Sequence, residues 1–417
     1  MFVDSEINNL KKVLVHKPDI GISRVSPRRS DELLFDDIVD YPRILNEHKI
    51  FTEVLELFMG KDFVLDVEQL FIEALDYNEE HRISIISEIL AFEELPQSFK
   101  PLLTELNTKN LAQTIISGYH EREKRYLFDP IPNFIFTRDI ATVVKDHIIV
   151  TKASKKARFR ENLITQFIFY NHPDFVEWVA EGRIINMNDI DVFPPSRMGE
   201  SISIEGGDIM MINKEYLLIG CSERTNAYSI NKLKDVIFQK ELVDHVVQVN
   251  IPRDRSYMHI DTVMTWIDEG VLVSYKPLIY EGLSSYVTVF HKSGAERIYH
   301  SVQEFVLKEI NPHTQFIFVG NGESPYQERE QWTDGCNLVA IKPGVAIAYD
   351  RNPLTEKALI AAGYSILKAE ELIYRCKKGG LDPRIIEKTI ITLPSGELSR
   401  ARGGSHCMTC PLEREKL

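Results

Sequence analysis

Tyr216-Leu217-Leu218-Ile219-Gly220, followed by Ser222-Glu223-Arg224-Thr225, reads as a short apolar strand, a polar turn carrying an arginine, and the start of a helix. Two other segments repeat the design. His147-Ile148-Ile149-Val150-Thr151 leads into Lys155-Lys156-Ala157-Arg158, and Val345-Ala346-Ile347-Ala348-Tyr349 leads into Asp350-Arg351-Asn352-Pro353. From Asn133 onward the chain therefore has α/β texture. Self-similarity of this kind suggests a unit repeated around a common axis, although the irregular spacing also suits an ordinary α/β fold.

Working back toward the start, Leu10 to Lys17 reads as a strand ended by Pro18. Between about Leu34 and Tyr119 the apolar residues fall three and four apart, as in Ile50 to Met59, Val67 to Leu75, Ile83 to Phe92 and Leu111 to Ile116. This is helical periodicity, with a strand signal only at Asp62 to Asp66. Val67 to Glu123 is read as a helical insertion within a single catalytic body spanning 1–417, because no low-complexity linker divides the chain.

The 417 residues, 44% apolar and 27% charged, suffice for a large core. A formal net charge of −13 argues against a general affinity for nucleic acid, which requires a basic surface. It suits a small cationic substrate. The five cysteines are an odd, sparse set and do not resemble a secreted disulfide framework. The first fifteen residues are too polar for a signal peptide, and no run reaches the roughly 18 apolar residues of a spanning helix. A reduced, cytoplasmic, soluble protein without a membrane or nucleic-acid partner is expected.

Several motifs can carry chemistry. Met258-His259-Ile260-Asp261-Thr262 alternates as a half-buried strand would, which puts His259 and Asp261 on one face. A carboxylate beside a histidine holds its pKa up and suits it to acid/base work, although an isolated His-x-Asp is more often a surface pair. Glu205-Gly206-Gly207-Asp208 brackets a glycine pair with acids and marks a tight bend or a close backbone approach. Asn133 to Asp139 ends an apolar run in Arg138-Asp139, which is either a strand end with an ion pair or an acid presented to a cleft.

The C-terminal segment Arg400-Ala401-Arg402-Gly403-Gly404-Ser405-His406-Cys407-Met408-Thr409-Cys410 is the least ordinary. Two arginines in a glycine-rich loop lead into a cysteine, and nearby positive charge would lower the thiol pKa and favour a nucleophile. Cys407-x-x-Cys410 also admits a redox pair or half a zinc site, but neither has its usual context. Taken together, Asp139, Glu205 and Asp261 can hold a planar cation. Cys407 can attack its central carbon and His259 can move protons. Arg158, Arg224 and Arg402 can hold a carboxylate bidentately. The ligand so described is an amino acid with a guanidinium tail.

These motifs, together with Ala157-Arg158 and Glu161, Glu223-Arg224 and Arg329-Glu330-Gln331-Trp332, resemble those of the arginine deiminases over essentially the whole chain. The resemblance implies a five-bladed, pseudo-symmetric α/β propeller of ββαβ-type units with the site at its centre. It implies L-arginine as substrate, no cofactor or metal, and a homo-oligomer. Residue by residue, it implies Cys407 as nucleophile and His259 as general acid/base. Asp139 and Asp261 match guanidinium clamps, and Glu205 an acid near the reacting carbon. Asn133, Arg158 and Arg224 match contacts to the polar end of the substrate, Phe136 a wall, and Arg402 an arginine on a mobile loop. Ala401 and Ser405 stand where relatives often have glycine, which implies a stiffer loop. Related guanidine-modifying enzymes compete with this reading, but two arginines for a carboxylate disfavour agmatine, and the helical insertion disfavours the compact dimethylarginine hydrolases. A silent arginine binder is the rival from another class.

Overall fold

The computed structural model describes residues 1–35 and 37–416. Among them the strands form six sheets, and five of these share one order: an antiparallel strand pair, a helix, and a return strand parallel to the second member of the pair. Ala141–Val144 and His147–Val150 pair antiparallel; the helix Phe159–Asn171 then returns the chain to Ile184–Asn186. Ile209–Asn213, Tyr216–Cys221, the helix Ala227–Gln239 and His245–Asn250 repeat the pattern. Val339–Lys342 and Val345–Tyr349 do so with one addition. After Pro353–Ala361 the chain forms an outer strand, Ser365–Lys368, and a second helix, Ala369–Lys377, before Thr389–Leu393 returns between that strand and Val345–Tyr349.

Two more units lie outside the three legible repeats. Met264–Asp268 and Val271–Ser274 pair antiparallel, and Gln315–Phe318 returns parallel. Between them the chain sends Tyr286–His291 and Glu296–Tyr299 across to extend the sheet of the preceding unit. The last unit joins distant segments: Cys410–Arg414 runs antiparallel to Leu10–Val15, and Val64–Asp66 returns parallel after the helix Tyr41–Met59.

Local chemistry explains the elements. Asp40 caps Tyr41–Met59 by accepting from the Arg43 N–H (3.0 Å), Pro42 sits in the first turn, and Gly60 at φ 91° ends the helix. Ile44, Phe51, Val54 and Leu55 form its buried stripe. Tyr216–Cys221 is buried along its whole length, as a strand covered on both faces must be.

The expected helical stretch is present as Val67–Tyr77, Glu79–Phe92, Lys100–Thr104 and Thr108–Ser117, three of them capped by Asp66, Asn78 and Asn107. It ends in a small ribbon, Tyr119–His120 with Arg125–Tyr126, where the Arg24 guanidinium lies 4.1 Å and 4.7 Å from the centroids of Tyr119 and Tyr126. These helices share one core with the unit that follows. Phe71 meets Phe167 edge-on at 5.7 Å, among Ile86, Ile89, Ile115, Ile164 and Ile168.

The structure corrects one expectation. His259 and Asp261 lie in a single turn of 3₁₀-helix, Ile260–Thr262, and the strand begins only at Met264. The Ile260 N–H donates to Asp208 Oδ1 (2.8 Å) instead of to a sheet ladder. The two side chains therefore point to different partners instead of sharing a face. Among the described residues no helix is long and apolar enough to cross a membrane.

Phe71→Ala should cost about 3–5 kcal/mol, the usual range for emptying a buried aromatic site. Because the core is shared, urea unfolding followed by tryptophan fluorescence and by far-UV circular dichroism should stay coincident and shift together. Early melting of the helices alone would show that segment 67–117 is an independent body.

Candidate active site

The functional candidates occupy equivalent places in the fold. Asp139 precedes Ala141–Val144, Glu205 and Asp208 precede Ile209–Asn213, and His259 and Asp261 precede Met264–Asp268. Cys407 precedes Cys410–Arg414 in the same way, and the turn before Val339–Lys342 carries Asp334 and Asn337. Turns of this kind leave side chains free to converge where strand residues would be spent on sheet packing.

Nine of the ten sequence candidates line one cavity: Asn133, Phe136, Asp139, Arg158, Glu205, Arg224, His259, Arg402 and Cys407. Asp261, fully buried, lies against it and accepts from the Cys407 thiol at 3.4 Å. The cavity is small, about 30 Å³.

Asp139 and Glu205 stand in the walls among arginines, with Asp261 behind them, and Arg158 and His259 hold these two wall acids together. Arg158 Nη1 donates to Asp139 Oδ2 (2.6 Å) and lies 3.5 Å from Glu205 Oε2. Its Nε and Nη2 both donate to Glu161 Oε2, at 3.0 and 2.8 Å, and Nη2 also reaches the Asn133 carbonyl at 3.2 Å. His259 Nε2 donates to Glu205 Oε2 (2.8 Å), and its Nδ1 lies 3.6 Å from Asp139 Oδ1. Burial alone would lower the His259 pKa, but Asp139, Glu205 and Asp208 outweigh it and raise it to about 10. Burial likewise opposes ionisation of Glu205, yet His259, Arg158 and Arg224 hold its carboxyl far below the usual range.

Gly207 makes this packing possible. A Cβ there would stand 2.8 Å from His259 Nδ1 and 3.0 Å from Asp139 Oδ1. Asp208 secures the surrounding backbone, accepting from the Ile260 N–H and from the Ser222 hydroxyl (2.6 Å).

The thiol behaves opposite to the expectation drawn from its loop arginines. Burial, then Asp261, Asp139 and Asp334, push the Cys407 pKa well above the ordinary thiol value. The positive charges that were to lower it face elsewhere. Arg402, in the left-handed region at φ 64°, lays its guanidinium 3.3 Å from the centroid of Trp332 and donates to the Arg255 carbonyl at 3.3 Å. Arg400 pairs with Asp37 at 3.0 Å. Arg402 and Trp332 also border a larger surface cavity of about 620 Å³ with Asp37, Arg351 and Arg400.

Arg224 Nη1 lies 4.0 Å from Glu205 Oε1, and its Nη2 meets the Met258 sulfur at 3.5 Å. Asn133 donates through Nδ2 to the Leu33 carbonyl (2.7 Å). The Phe136 ring packs directly on the nucleophile loop, since a Cβ on Gly403 would fall 2.3 Å from it. Ser405, read as a stiffening departure, fastens that loop by donating to the Ile347 carbonyl (2.7 Å). Cys410 donates to the Ala141 carbonyl (3.1 Å), and all five cysteines are free thiols.

Asp139, Glu205 and His259 bring ligand-type atoms within 4.8 Å of one another. With a proton on His259, the imidazole lacks the free lone pair that a metal ligand must supply.

Sequence reasoning missed the support beneath Cys407. His406 Nδ1 donates to Asp261 Oδ2 (2.9 Å), and its Nε2 lies 3.3 Å from Glu6 Oε2, which in turn meets Arg138 at 3.5 Å. His406 stood next to the cysteine in the quoted motif, but Glu6, some four hundred residues away, left no local signal.

The His259 imidazole, followed by NMR, should titrate near pH 10, and Glu205→Gln should move that titration downward. Because the folded pKa exceeds the ordinary value of 6.5, the stability it contributes is complete below about pH 6.5 and is lost as pH rises through 10. Titration near 6.5 in the unaltered protein would refute the ion-paired arrangement.

Comparison with known proteins follows the same direction. A family model described as arginine deiminase matches residues 102–414. An arginine deiminase of Mycoplasma capricolum is 31% identical over 431 aligned residues, covering 100% of this chain and 97% of the relative. One of Listeria monocytogenes is 32% identical over 439, covering 100% and 98%. Among solved structures, the N-terminal domain of ArgZ, a cyanobacterial arginine dihydrolase bound to product, superposes with a TM-score of 0.53 at 13% identity, covering 98% of each chain. A cysteine-to-serine mutant of DDAH from Pseudomonas aeruginosa, complexed with citrulline, gives a TM-score of 0.50 at 15% identity, covering 96% of this chain and 99% of the other. At such identities the structures speak to the α/β fold, and the sequence matches speak to the family: this chain belongs to the arginine deiminases, a family of enzymes.

Proposed function

We propose that this enzyme hydrolyses L-arginine to L-citrulline and ammonia through a covalent amidino-cysteine on Cys407. The family acts on the guanidino C–N bond of arginine. The observation that carries the residue assignment concerns two oxygens. Asp139 Oδ1 and Asp261 Oδ1 are buried and accept no hydrogen bond, while the other oxygen of each carboxylate is already engaged. Both acids bear electrostatically on Cys407. A guanidinium offers in-plane N–H donors for two such acceptors, and its central carbon then faces the thiol.

In this reading Asp139, Asp261 and Glu205 hold the guanidinium, Phe136 walls the side chain, and Asn133, Arg158, Arg224 and Arg402 take the carboxylate end. As the cation binds, Cys407 releases its thiol proton to solvent, and the sulfur then adds to the guanidinium carbon. A C–N bond breaks, and His259 gives its proton to the departing ammonia. A water that returns a proton to His259 then adds to the same carbon. The C–S bond breaks, citrulline leaves, and Cys407 regains its proton. Covalent catalysis thus divides one difficult hydrolysis into two easier steps. We further propose that the five ββαβ units stand as blades around this centre with 67–123 as an insertion, supported by the five turns that converge on it.

A neutral thiol donating to Asp261 is the resting arrangement. A substrate cation between Asp139 and Asp261 offsets the negative field and favours the thiolate, so activation depends on substrate. Iodoacetamide alkylation of Cys407 should be slow near pH 7 and should accelerate at that pH when a small guanidinium compound occupies the clamp. A pH profile unaffected by the cation would remove substrate-dependent activation from the scheme.

The direct test is incubation with L-arginine in the presence of a chelator. Citrulline and ammonia should appear in equal amounts, and Cys407→Ala should abolish both. Binding without turnover would make the chain a silent binder. Turnover of agmatine or dimethylarginine in preference to arginine would move it to another guanidine substrate.

A further inference from the structure

Four of the five turns deliver the residues assigned above, namely Asp139, Glu205, His259 with Asp261, and Cys407. The turn before Val339–Lys342 has no such assignment, and at that place stands Asn337, 1% exposed. We infer that Asn337 is a positioning residue of this reaction, its single carboxamide fixing the nucleophile and the guanidinium clamp at a set separation. The inference rests on the roles proposed above for Cys407 and Asp261.

The contacts are specific to an amide. Asn337 Oδ1 accepts from the Cys407 N–H (3.0 Å), and Nδ2 donates to the Asp261 carbonyl (3.0 Å). One end must accept and the other donate, so neither a carboxylate nor an aliphatic side chain serves both. The two segments it joins, a 3₁₀ turn and a loop, come from distant parts of the chain and share no sheet ladder. Their other direct contacts, Cys407 Sγ and His406 Nδ1 to Asp261 Oδ2, involve ionisable side chains whose bonding changes once the thiol proton leaves. The amide contacts go to backbone groups and keep their donor and acceptor sense throughout the cycle.

Asn337 is itself fastened. Its N–H donates to the Asp334 carbonyl (3.0 Å), and the next residue, Leu338, donates to Thr265 Oγ1 (3.2 Å). Its own carbonyl accepts from the His406 N–H (3.4 Å). The approach is so close that a Cβ on Gly404 would stand 2.6 Å from both the Asn337 carbonyl oxygen and Oδ1. Glycine at 404 and asparagine at 337 are two halves of one fit.

Misplacing reacting groups by about 1 Å can cost on the order of 100-fold in rate. Asn337→Asp keeps the shape and the acceptor but loses the donor and adds a negative charge beside the thiol. It should lower kcat on L-arginine about 100-fold with KM within about threefold, and shift the Cys407 alkylation profile to higher pH. Gly404→Ala pushes on the same amide without adding charge, so it should lower kcat without that alkylation shift. Asn337→Ser, smaller than the native residue, serves if either variant fails to fold, and should show the same kcat loss at an unchanged thermal midpoint. Folded variants with kcat within about threefold of the parent would overturn the inference, as would losses that simply track the thermal midpoint. A parent protein that makes no citrulline would instead overturn the functional reading, so the two failures are distinguishable.

Discussion

The arrangement depends on how buried acids are kept charged. Asp139, Glu161, Glu205, Asp208 and Asp261 all lie within a few residues or contacts of one another, nearly without access to solvent. Like charges out of water repel strongly, and burial favours their neutral forms. Asp208 shows the cost, with burial raising its carboxyl to about 7 despite His259 and three hydrogen bonds. Glu161 shows it too, raised to about 7 by burial despite Arg158. Arg158 and His259 supply the counter-charge for Asp139 and Glu205, and His406 donates to Asp261. The geometry of the cleft follows from that pairing, since Asp139 and Glu205 are oriented by the cations they accept from.

The same pairing accounts for the thiol. A cysteine set among carboxylates is a poor nucleophile until something cationic arrives. On the proposed mechanism, preference for a positively charged substrate follows from the resting electrostatics. The loop arginines are engaged by other groups, Arg402 on Trp332 and Arg400 on Asp37.

What the sequence reveals, and what it hides, follows from range. Three of the five units are visible because strand, turn and helix lie in one local run. The unit holding Met264–Asp268 is hidden because the chain leaves it to add Tyr286–His291 and Glu296–Tyr299 to a neighbouring sheet. The unit pairing Leu10–Val15 with Cys410–Arg414 is hidden because its strands are far apart in sequence. Residue chemistry is more legible than geometry. His259 and Asp261 stand out by type, but alternation suggests a strand where a carboxylate from Asp208 holds a turn. The sign of the Cys407 shift is misjudged because the charges that set it come from three other turns. Asn337 escapes notice because a lone amide carries no motif; only its two backbone contacts reveal it.

The pairing of Leu10–Val15 with Cys410–Arg414 has a consequence for synthesis. A strand made early must wait through some four hundred further residues for its antiparallel neighbour. The turn that carries Cys407 lies immediately before that late neighbour. During translation the acids, His259 and Arg158 all emerge before the sulfur they surround. On the proposed mechanism, the nascent protein is thus chemically silent until Cys410–Arg414 docks on Leu10–Val15.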